Sequence, residues 1–302
     1  MKKVMTILMS ALLIIGATGC GNPAGAGGNT SNGGSNTGSS DNSLTGTYCG
    51  QTFTIPQPAL PNSVGENPFV GKAFTVSAGN GNDTSLSTWS FTNNQATYSN
   101  TIGNITNTWT YNYTYNTENN LLYLALTEMT LQGHTINSFS SMIDYLSSIS
   151  PNLSTATDER KRYFMNSIVN GDTFNKQVHQ YSISGDTLNL TRYFDGFLPS
   201  NCNFRNDNIN LYSGCLQSRN QMNGYACFGC TFNDGIISGT LFSRDSGGSE
   251  IILANDILGD FTATYTTSGT GTSGCTVTIT FTSLPASVQG ITTNTPYVLT
   301  QD

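Results

Sequence analysis

The sequence predicts an all-β protein, an antiparallel barrel or sandwich with one helical hairpin inserted at about 137–170. Three observations support this fold class. Thr, Tyr and Phe favour strands, and stretches rich in Asn, Gly and Ser separate them at turn positions. Only 10% of the residues are charged, so uncharged polar side chains must fill the solvent faces. Several segments also alternate apolar and polar residues with a period of two, which is typical of half-buried strands.

The first strands are predicted near Leu44, where a Gly- and Ser-rich leader ends. A proline-rich connection follows, and a strand is expected over 69–77. The stretch 79–83 has the composition of a turn, and 86–91 and 96–100 form a predicted hairpin around Asn93 and Asn94.

The clearest alternation belongs to the next predicted hairpin. Its first strand has four aromatic residues on one face: Trp109, Tyr111, Tyr113 and Tyr115. A turn at 118–120 leads to a leucine-rich strand over 122–126. The aromatic face has two interpretations, either core packing against an inner barrel wall or an exposed platform for a sugar or another flat ligand.

Helical periodicity replaces the alternation in the inserted segment. Apolar residues between Phe139 and Leu146 have helical spacing, and a second helix is predicted between Thr157 and Gly171. The charged run 158–162 is interpreted as an exposed helix face with local ion pairs.

Strand character returns at 177–183 and 187–194. The segment 195–224 shows little periodicity and contains two cysteines, so we interpret it as an excursion held by disulfides. Strands are then expected at 225–232, 235–242 and 249–255. In a last pair, the apolar face of 261–265 opposes that of 275–281, and a ladder of threonines forms a solvated face on the other side.

The N-terminus has the anatomy of a secretory signal. Lys2 and Lys3 precede an apolar run over 4–15 that is too short to span a bilayer, and small residues lead to Cys20. This pattern resembles the lipobox of bacterial lipoproteins, although Ala17 stands where Leu is commoner. The resemblance implies cleavage of the signal peptide 1–19 and a lipid anchor of diacylglyceryl and palmitate type on Cys20. An ordinary cleaved signal is the alternative.

A tether is predicted between this anchor and the folded body. Residues 20–45 are mostly Gly, Asn and Ser, with almost nothing to bury. A flexible chain of this length has a reach of roughly 25–30 Å, enough to hold a folded body just off a membrane surface.

The charge balance argues against a nucleic-acid partner. The formal net charge is −7, and without residues 1–19 nine Lys and Arg oppose eighteen Asp and Glu. No basic stripe is present, so the sequence lacks the cluster of positive charge that typically binds nucleic acid or an anionic lipid surface.

Six cysteines follow Cys20, an even number that in an exported chain predicts up to three disulfides of open connectivity. They are Cys49, Cys202, Cys215, Cys227, Cys230 and Cys275. Because five of them lie after residue 200, complete pairing would join Cys49 to the C-terminal third. We therefore expect a disulfide-braced C-terminal β segment, 195–302, joined to the barrel-like part, 46–194, in one unit.

The sequence contains few motifs that indicate catalysis or metal binding. Cys227 and Cys230 form a C-x-x-C motif, but the flanking residues look extended, so we expect the two side chains on opposite strand faces and in different disulfides. Zinc is disfavoured because no second such motif accompanies it. The two histidines, His134 and His179, lie near no recognisable nucleophile motif and are interpreted as ordinary turn and sheet residues.

The order of elements over 44–194 resembles the lipocalin-like β-barrels of bacterial lipoproteins. The resemblance is carried by LTGTY at 44–48, by YSISGDTLNLT at 181–191 and by Arg192 on the last strand. Gly46-Thr47-Tyr48 departs from the usual G-x-W, and the helical insertion and the long C-terminal segment also depart from that pattern. The resemblance implies a small apolar ligand in a barrel mouth.

These features predict a lipid-anchored protein of the bacterial cell envelope, at the outer membrane or cell surface, that acts in binding or surface interaction and not in catalysis. One alternative is a lipocalin-like carrier with a cavity lined by Trp109, Tyr111 and Tyr113, and another is a hydrolase with dispersed carboxylates. No cofactor or metal is predicted. The expected partners are the membrane, through the lipid, and a small apolar ligand or a surface partner.

The anchor can be tested with one substitution. We expect Cys20→Ala, or treatment with globomycin, to block maturation and move the protein out of the membrane fraction, because the acylated thiol is the predicted attachment point. Cys49→Ala is the matched control and should remain in that fraction. An unchanged membrane fraction for Cys20→Ala would reject the anchor.

Overall fold

The computed structural model describes residues 43–78, 85–102, 104–212, 214–219, 224–244 and 256–302. The signal peptide, most of the tether, the turn predicted at 79–83 and the strand predicted at 249–255 lie outside the described residues. Strands dominate the described part, which confirms the all-β class. No described helix is both long and apolar enough to cross a membrane.

The chain before residue 193 forms ten strands among its described residues. They are β1 (Thr45–Tyr48), β2 (Gln51–Thr54), β3 (Ala73–Ala78), β4 (Ser85–Phe91), β5 (Gln95–Ile102), β6 (Ile105–Asn116), β7 (Leu121–Leu131), β8 (His134–Ile136), β9 (Gln177–Ser184) and β10 (Thr187–Arg192). β1 and β2 form a separate hairpin. The others form one antiparallel sheet in the order β10-β9-β7-β6-β5-β4-β3, with β8 also paired to β7. The edge strands β3 and β10 come into contact, so this sheet is barrel-like.

Aromatic packing fills the first core. Phe69 is completely buried, and its ring centroid lies 4.8 Å from those of Phe91 and Tyr181. Tyr113 and Tyr115 approach the same ring edge-on at 6.1 and 6.4 Å. The proline-rich connection before β3 is therefore anchored on the inner wall of the sheet through one phenyl ring.

The predicted helical hairpin is confirmed. Its elements are α1 (Phe139–Ile149), α2 (Pro151–Thr155), α3 (Asp158–Val169) and a 3₁₀ turn (Asp172–Phe174). Ser138 and Ser141 form a capping box that satisfies backbone donors at the start of α1. Both α1 and α3 bury apolar residues in the first core, so the insertion packs against the sheet and does not project from it.

The remaining chain forms nine strands among the described residues. They are β11 (Asn203–Arg205), β12 (Ile209–Tyr212), β13 (Cys215–Ser218), β14 (Gly224–Cys227), β15 (Thr231–Asn233), β16 (Ile236–Arg244), β17 (Ile257–Ser268), β18 (Thr276–Ser283) and β19 (Pro296–Gln301). Their order is β14-β13-β12-β11-β19-β18-β17-β16-β15, and β14 also pairs with β16. This last pairing joins the two arms of the sheet into a closed ring.

The interpretation of 195–224 as an irregular excursion is wrong. β11, β12 and β13 lie in this segment and pair in succession, and β11 also pairs with the C-terminal strand β19. These strands are short, and Asn- and Gly-rich turns separate them, so no single stretch shows a long alternation. The last pair is confirmed: Ala263 opposes Phe281 inside the barrel, and Thr264 opposes Thr280 on the outer face.

The two cores meet at helix α3. The ring of Tyr163 on α3 lies edge-on to that of Phe242 on β16, with 5.5 Å between centroids. Asn170, after α3, donates a hydrogen bond to the carbonyl of Gly229 at 3.4 Å. The inserted helices thus connect the first barrel to the second.

The described residues contain no disulfide, so the predicted bracing finds no support in the structure. The six cysteines concerned are Cys49, Cys202, Cys215, Cys227, Cys230 and Cys275. Cys49 lies at the tip of the β1–β2 hairpin, where its carbonyl accepts a hydrogen bond from Arg162 of α3. Cys49 forms no disulfide there, so the predicted bond between Cys49 and the C-terminal third finds no support.

The position of Phe69 generates a stability prediction. We expect Phe69→Ala to lower the free energy of unfolding by about 3–5 kcal/mol, because it removes a fully buried ring that contacts several others. The neighbouring Val70 is 42% exposed, and Val70→Ala should cost less than about 1 kcal/mol. Urea unfolding of both variants measures the difference, and equal midpoints would contradict the assignment of Phe69 to the core.

Candidate functional site

The four aromatic residues predicted to share one face of β6 differ in burial. Tyr111 and Tyr113 are buried in the first core. The Tyr113 hydroxyl donates to the Thr92 carbonyl at 2.7 Å and accepts from Asn67 at 2.8 Å. Tyr115, at the far end, packs on Phe69. Only Trp109, at the near end, extends into a half-buried group of rings, so this end of the barrel is the candidate ligand site.

Three rings on adjacent strands form what we call the aromatic ladder: Trp89 on β4, Tyr98 on β5 and Trp109 on β6. The centroids of Trp89 and Tyr98 are 5.0 Å apart, and those of Tyr98 and Trp109 are 5.5 Å apart. All three rings are half-buried, whereas the neighbouring Phe91 and Tyr111 on the same face are buried. The ladder is therefore a part of this aromatic face that solvent reaches, as is Tyr115 at the other end of β6.

A buried polar pair lies next to the ladder. Ser87 and Asn100 oppose each other on β4 and β5, and both are almost completely buried. The Tyr98 hydroxyl and the Asn100 amide nitrogen both donate to Ser87 Oγ, at 3.1 and 2.9 Å. Asn100 Oδ1 has no hydrogen-bond partner among the described residues. A buried amide oxygen without a partner costs free energy, so an atom that donates to it would be stabilising.

Local hairpin register brings these groups together. The turn around Asn93 and Asn94 aligns Phe91 with Ala96, which places Trp89 opposite Tyr98 two residues further along each strand. The next pairing aligns Tyr98 with Trp109. Trp109 was identified from the alternation on β6 alone. The other two rings could have been found by counting outward from the predicted hairpin turn.

The candidate site is uncharged. Its polar groups are a hydroxyl of Ser87, the phenol of Tyr98 and the carboxamide of Asn100, and its apolar groups are aromatic faces. Such a surface suits an uncharged ligand that has a flat apolar face and a hydrogen-bond donor at one edge.

A second polar cluster surrounds His179 on β9. Its Nε2 lies 3.4 Å from Asn201 Nδ2, and Nδ1 has no partner in the described part of the chain. Arg192, opposite on β10, donates to Asn203 Oδ1 at 3.3 Å. Complete burial, together with the nearby guanidinium of Arg192, lowers the pKa of His179 to about 3. His179 is therefore a neutral, internal residue at physiological pH.

Other places offer less for a ligand or for catalysis. A cavity between β7, α1 and the segment after β2 has a volume of about 10 Å³, room for about one water molecule. Among the described residues no Asp or Glu is buried, and no cluster of His, Cys, Asp or Glu has the arrangement of a metal site. His134 is exposed and packs on the ring of Tyr145.

Comparison with known proteins gives no family for this chain. No protein-family model, no curated protein and no solved structure matches it. The functional argument therefore depends on the geometry of the candidate site and on the N-terminal sequence.

The burial of His179 predicts a dependence of stability on pH. The folded pKa of about 3 lies below the ordinary value of 6.5, so the unfolded chain binds a proton that the folded chain does not. We expect this contribution to be complete above pH 6.5 and to be lost as pH falls toward 3, with a slope of at most about 1.4 kcal/mol per pH unit.

Urea unfolding at pH 7 and pH 5 measures this effect. His179→Gln should lose a smaller part of its unfolding free energy between these two values than the wild type, and the exposed control His134→Gln should behave like the wild type. An equal loss in all three proteins would show that His179 is protonated in the folded state.

Proposed function

We propose that this protein is a lipid-anchored binding protein of the bacterial envelope that holds a small uncharged ligand on the aromatic ladder. The observation that carries the ligand site is the position of Asn100. Asn100 is 3% exposed, shares the Ser87 hydroxyl with Tyr98 of the ladder and keeps a carboxamide oxygen without a partner among the described residues.

The aromatic ladder differs from ordinary core packing in two respects. Core rings are closed off from water on all sides, as Phe69 and Tyr111 are, whereas Trp89, Tyr98 and Trp109 keep part of their surface exposed. A packed core also satisfies its buried polar atoms, and Asn100 Oδ1 is an exception to that rule. A ligand that stacks on the rings and donates a hydrogen bond to Asn100 would cover the exposed ring surface and satisfy the unpaired oxygen.

We place the ligand at the end of the first barrel and not in its interior. Phe69, Phe91, Tyr111, Leu122 and Leu124 fill the inner wall and are all nearly inaccessible. A deep apolar cavity of the kind implied by the lipocalin resemblance would require these side chains to move. Stacking on the ladder requires only contact with rings that solvent already reaches, whereas a hydrogen bond to the buried Asn100 Oδ1 requires a local opening beside Ser87.

The envelope location is supported by the sequence of the N-terminus. The lipobox-like end at Cys20 supplies an attachment point, and the Gly- and Ser-rich residues after it supply a tether. A binding module held this way would collect or present its ligand beside the membrane. The hydrolase alternative gains no support, because it needs buried acids and the described Asp and Glu residues are not buried.

Intrinsic fluorescence tests the ligand site directly, because the chain has two tryptophans and both belong to the aromatic ladder. The probe is p-nitrophenyl β-glucoside, which is uncharged, has one flat ring that quenches tryptophan, and carries hydroxyl donors. We expect saturable quenching. Trp109→Ala should weaken binding about tenfold through lost stacking, and Asn100→Leu by about two- to tenfold through the lost hydrogen bond.

Phe197→Ala is the matched control, because Phe197 is a 69% exposed aromatic residue outside the ladder. It should bind the probe as the wild type does, and circular dichroism should show that all variants are folded. Quenching that rises linearly with concentration, and equally in the wild type and Asn100→Leu, is collisional and would contradict the proposed site.

A further inference from the structure

The C-x-x-C motif lies in a turn that touches both cores. Cys227 ends β14, Cys230 precedes β15, and both side chains are 1% exposed within the second core. Between them, Phe228 packs against the first core, and the carbonyl of Gly229 accepts a hydrogen bond from Asn170 after α3. The expectation that the two cysteines point to opposite strand faces is wrong, because β14 ends at Cys227 and the chain bends before β15 continues in the same direction along β16, so that both side chains lie in the second core.

The two glycines around this motif explain how the turn fits. Gly229 has a φ of +70°, and a Cβ there would overlap the backbone of Asn166 and Ser167 on α3. Gly239 on β16 faces Cys227, and a Cβ at that position would overlap Cys227 Sγ. Glycine therefore allows the turn to approach α3 on one side and leaves room for a sulfur atom on the other.

The two cysteines are already in contact. Cys230 Sγ lies 3.9 Å from the Cys227 carbonyl oxygen, and the Cys230 thiol is the largest cause that raises the pKa of Cys227. We propose that Cys227 and Cys230 form a disulfide with each other, and that this bond holds the Cys227–Cys230 turn against α3 so that Phe228 stays in the first core.

Cys215 is the competing partner. It opens β13 directly after Gly214, whose carbonyl accepts a hydrogen bond from the Cys230 amide at 2.7 Å. The remaining cysteines lie elsewhere: Cys49 is beside α3, and Cys202 accepts a hydrogen bond from Gln301 at 3.4 Å. The contact of Cys230 Sγ with the Cys227 carbonyl favours the pairing of these two cysteines, because a disulfide requires the two Cβ atoms to be about 3.5–4.5 Å apart.

The bond must form before the barrel closes. In the folded protein, burial and the neighbouring thiols raise the pKa of Cys227, and burial raises that of Cys215. A buried thiol of this kind is a poor nucleophile. In the open chain, the thiolate of one cysteine attacks a disulfide oxidant and releases one thiol. The second thiolate then displaces the other half of the oxidant from the mixed disulfide, so the oxidant gains the two electrons that the cysteines lose.

Refolding in the presence of oxidised glutathione tests the pairing without depending on export or on the ligand site. The protein without its signal peptide, carrying Cys20→Ala, is unfolded under reduction, refolded with oxidised glutathione, unfolded again, alkylated and digested with trypsin. Cleavage after Arg205, Arg219 and Arg244 gives peptides 206–219, which contains Cys215, and 220–244, which contains Cys227 and Cys230.

We expect peptide 220–244 to be unalkylated and lighter by the two thiol hydrogens, and peptide 206–219 to be alkylated. A crosslink between the two peptides would assign the bond to Cys215, and full alkylation of both, or glutathione adducts, would show no bond. Each of these three results overturns the proposal. Cys215→Ser should keep the bond, and Cys227→Ser and Cys230→Ser should each remove it.

Amide hydrogen exchange tests the role of the bond. We expect amides of α3 to exchange more slowly in the oxidised wild type than in the protein refolded under reduction, and the melting temperature to be about 5 °C higher. Exchange of α3 that is identical in the two forms would show that the bond does not hold the turn against this helix.

Discussion

The alternation of side chains along β6 is the constraint on which the first barrel depends. Because the period of a strand is two, Trp109, Tyr111 and Tyr113 must share one face. Pairing with β5 and β7 then aligns each of them with a neighbour on the same face. Tyr111 and Tyr113 are buried in the first core, whereas Trp109, at the end of the row, is only half-buried. One strand therefore supplies both the packing of the barrel and the candidate ligand surface.

The second barrel depends on two pairings between strands that are not consecutive in the chain. β11 pairs with the C-terminal strand β19, and β14 pairs with β16, which closes the ring. The outer face of the β17–β18 pair is a row of threonines. The contact of the second barrel with the first runs through α3, which meets β16 at Phe242 and meets the Cys227–Cys230 turn at Gly229. The inserted helices thus serve both cores, because they cover one and support a turn of the other.

Local features of the fold could be predicted from the sequence, and distant ones could not. The hairpin of β6 and β7, the helical insertion and the pairing of β17 with β18 each follow from periodicity within about thirty residues. The pairing of β11 with β19 does not, because Phe204 and its partner Gln301 come from opposite ends of the second barrel's chain. The segment 195–224 was misinterpreted for a related reason: its strands are three or four residues long and each becomes recognisable only beside its partner.

The candidate site could be predicted in part. The alternation on β6 identified Trp109, but it also suggested Tyr111 and Tyr113, whose burial depends on what covers the inner face. Asn100 carried no signal in the sequence, because an asparagine near a strand end usually indicates a turn. Its importance comes from being buried opposite Ser87 with one polar atom unpaired, which is a property of the folded chain alone.

A crystal structure of the complex with p-nitrophenyl β-glucoside would show whether the aromatic ladder binds a ligand. We expect the nitrophenyl ring to stack on Tyr98 or Trp109 and a hydroxyl of the sugar to donate a hydrogen bond to Asn100. A probe bound elsewhere, or Asn100 Oδ1 already hydrogen-bonded to another group of the protein in the crystal, would contradict it.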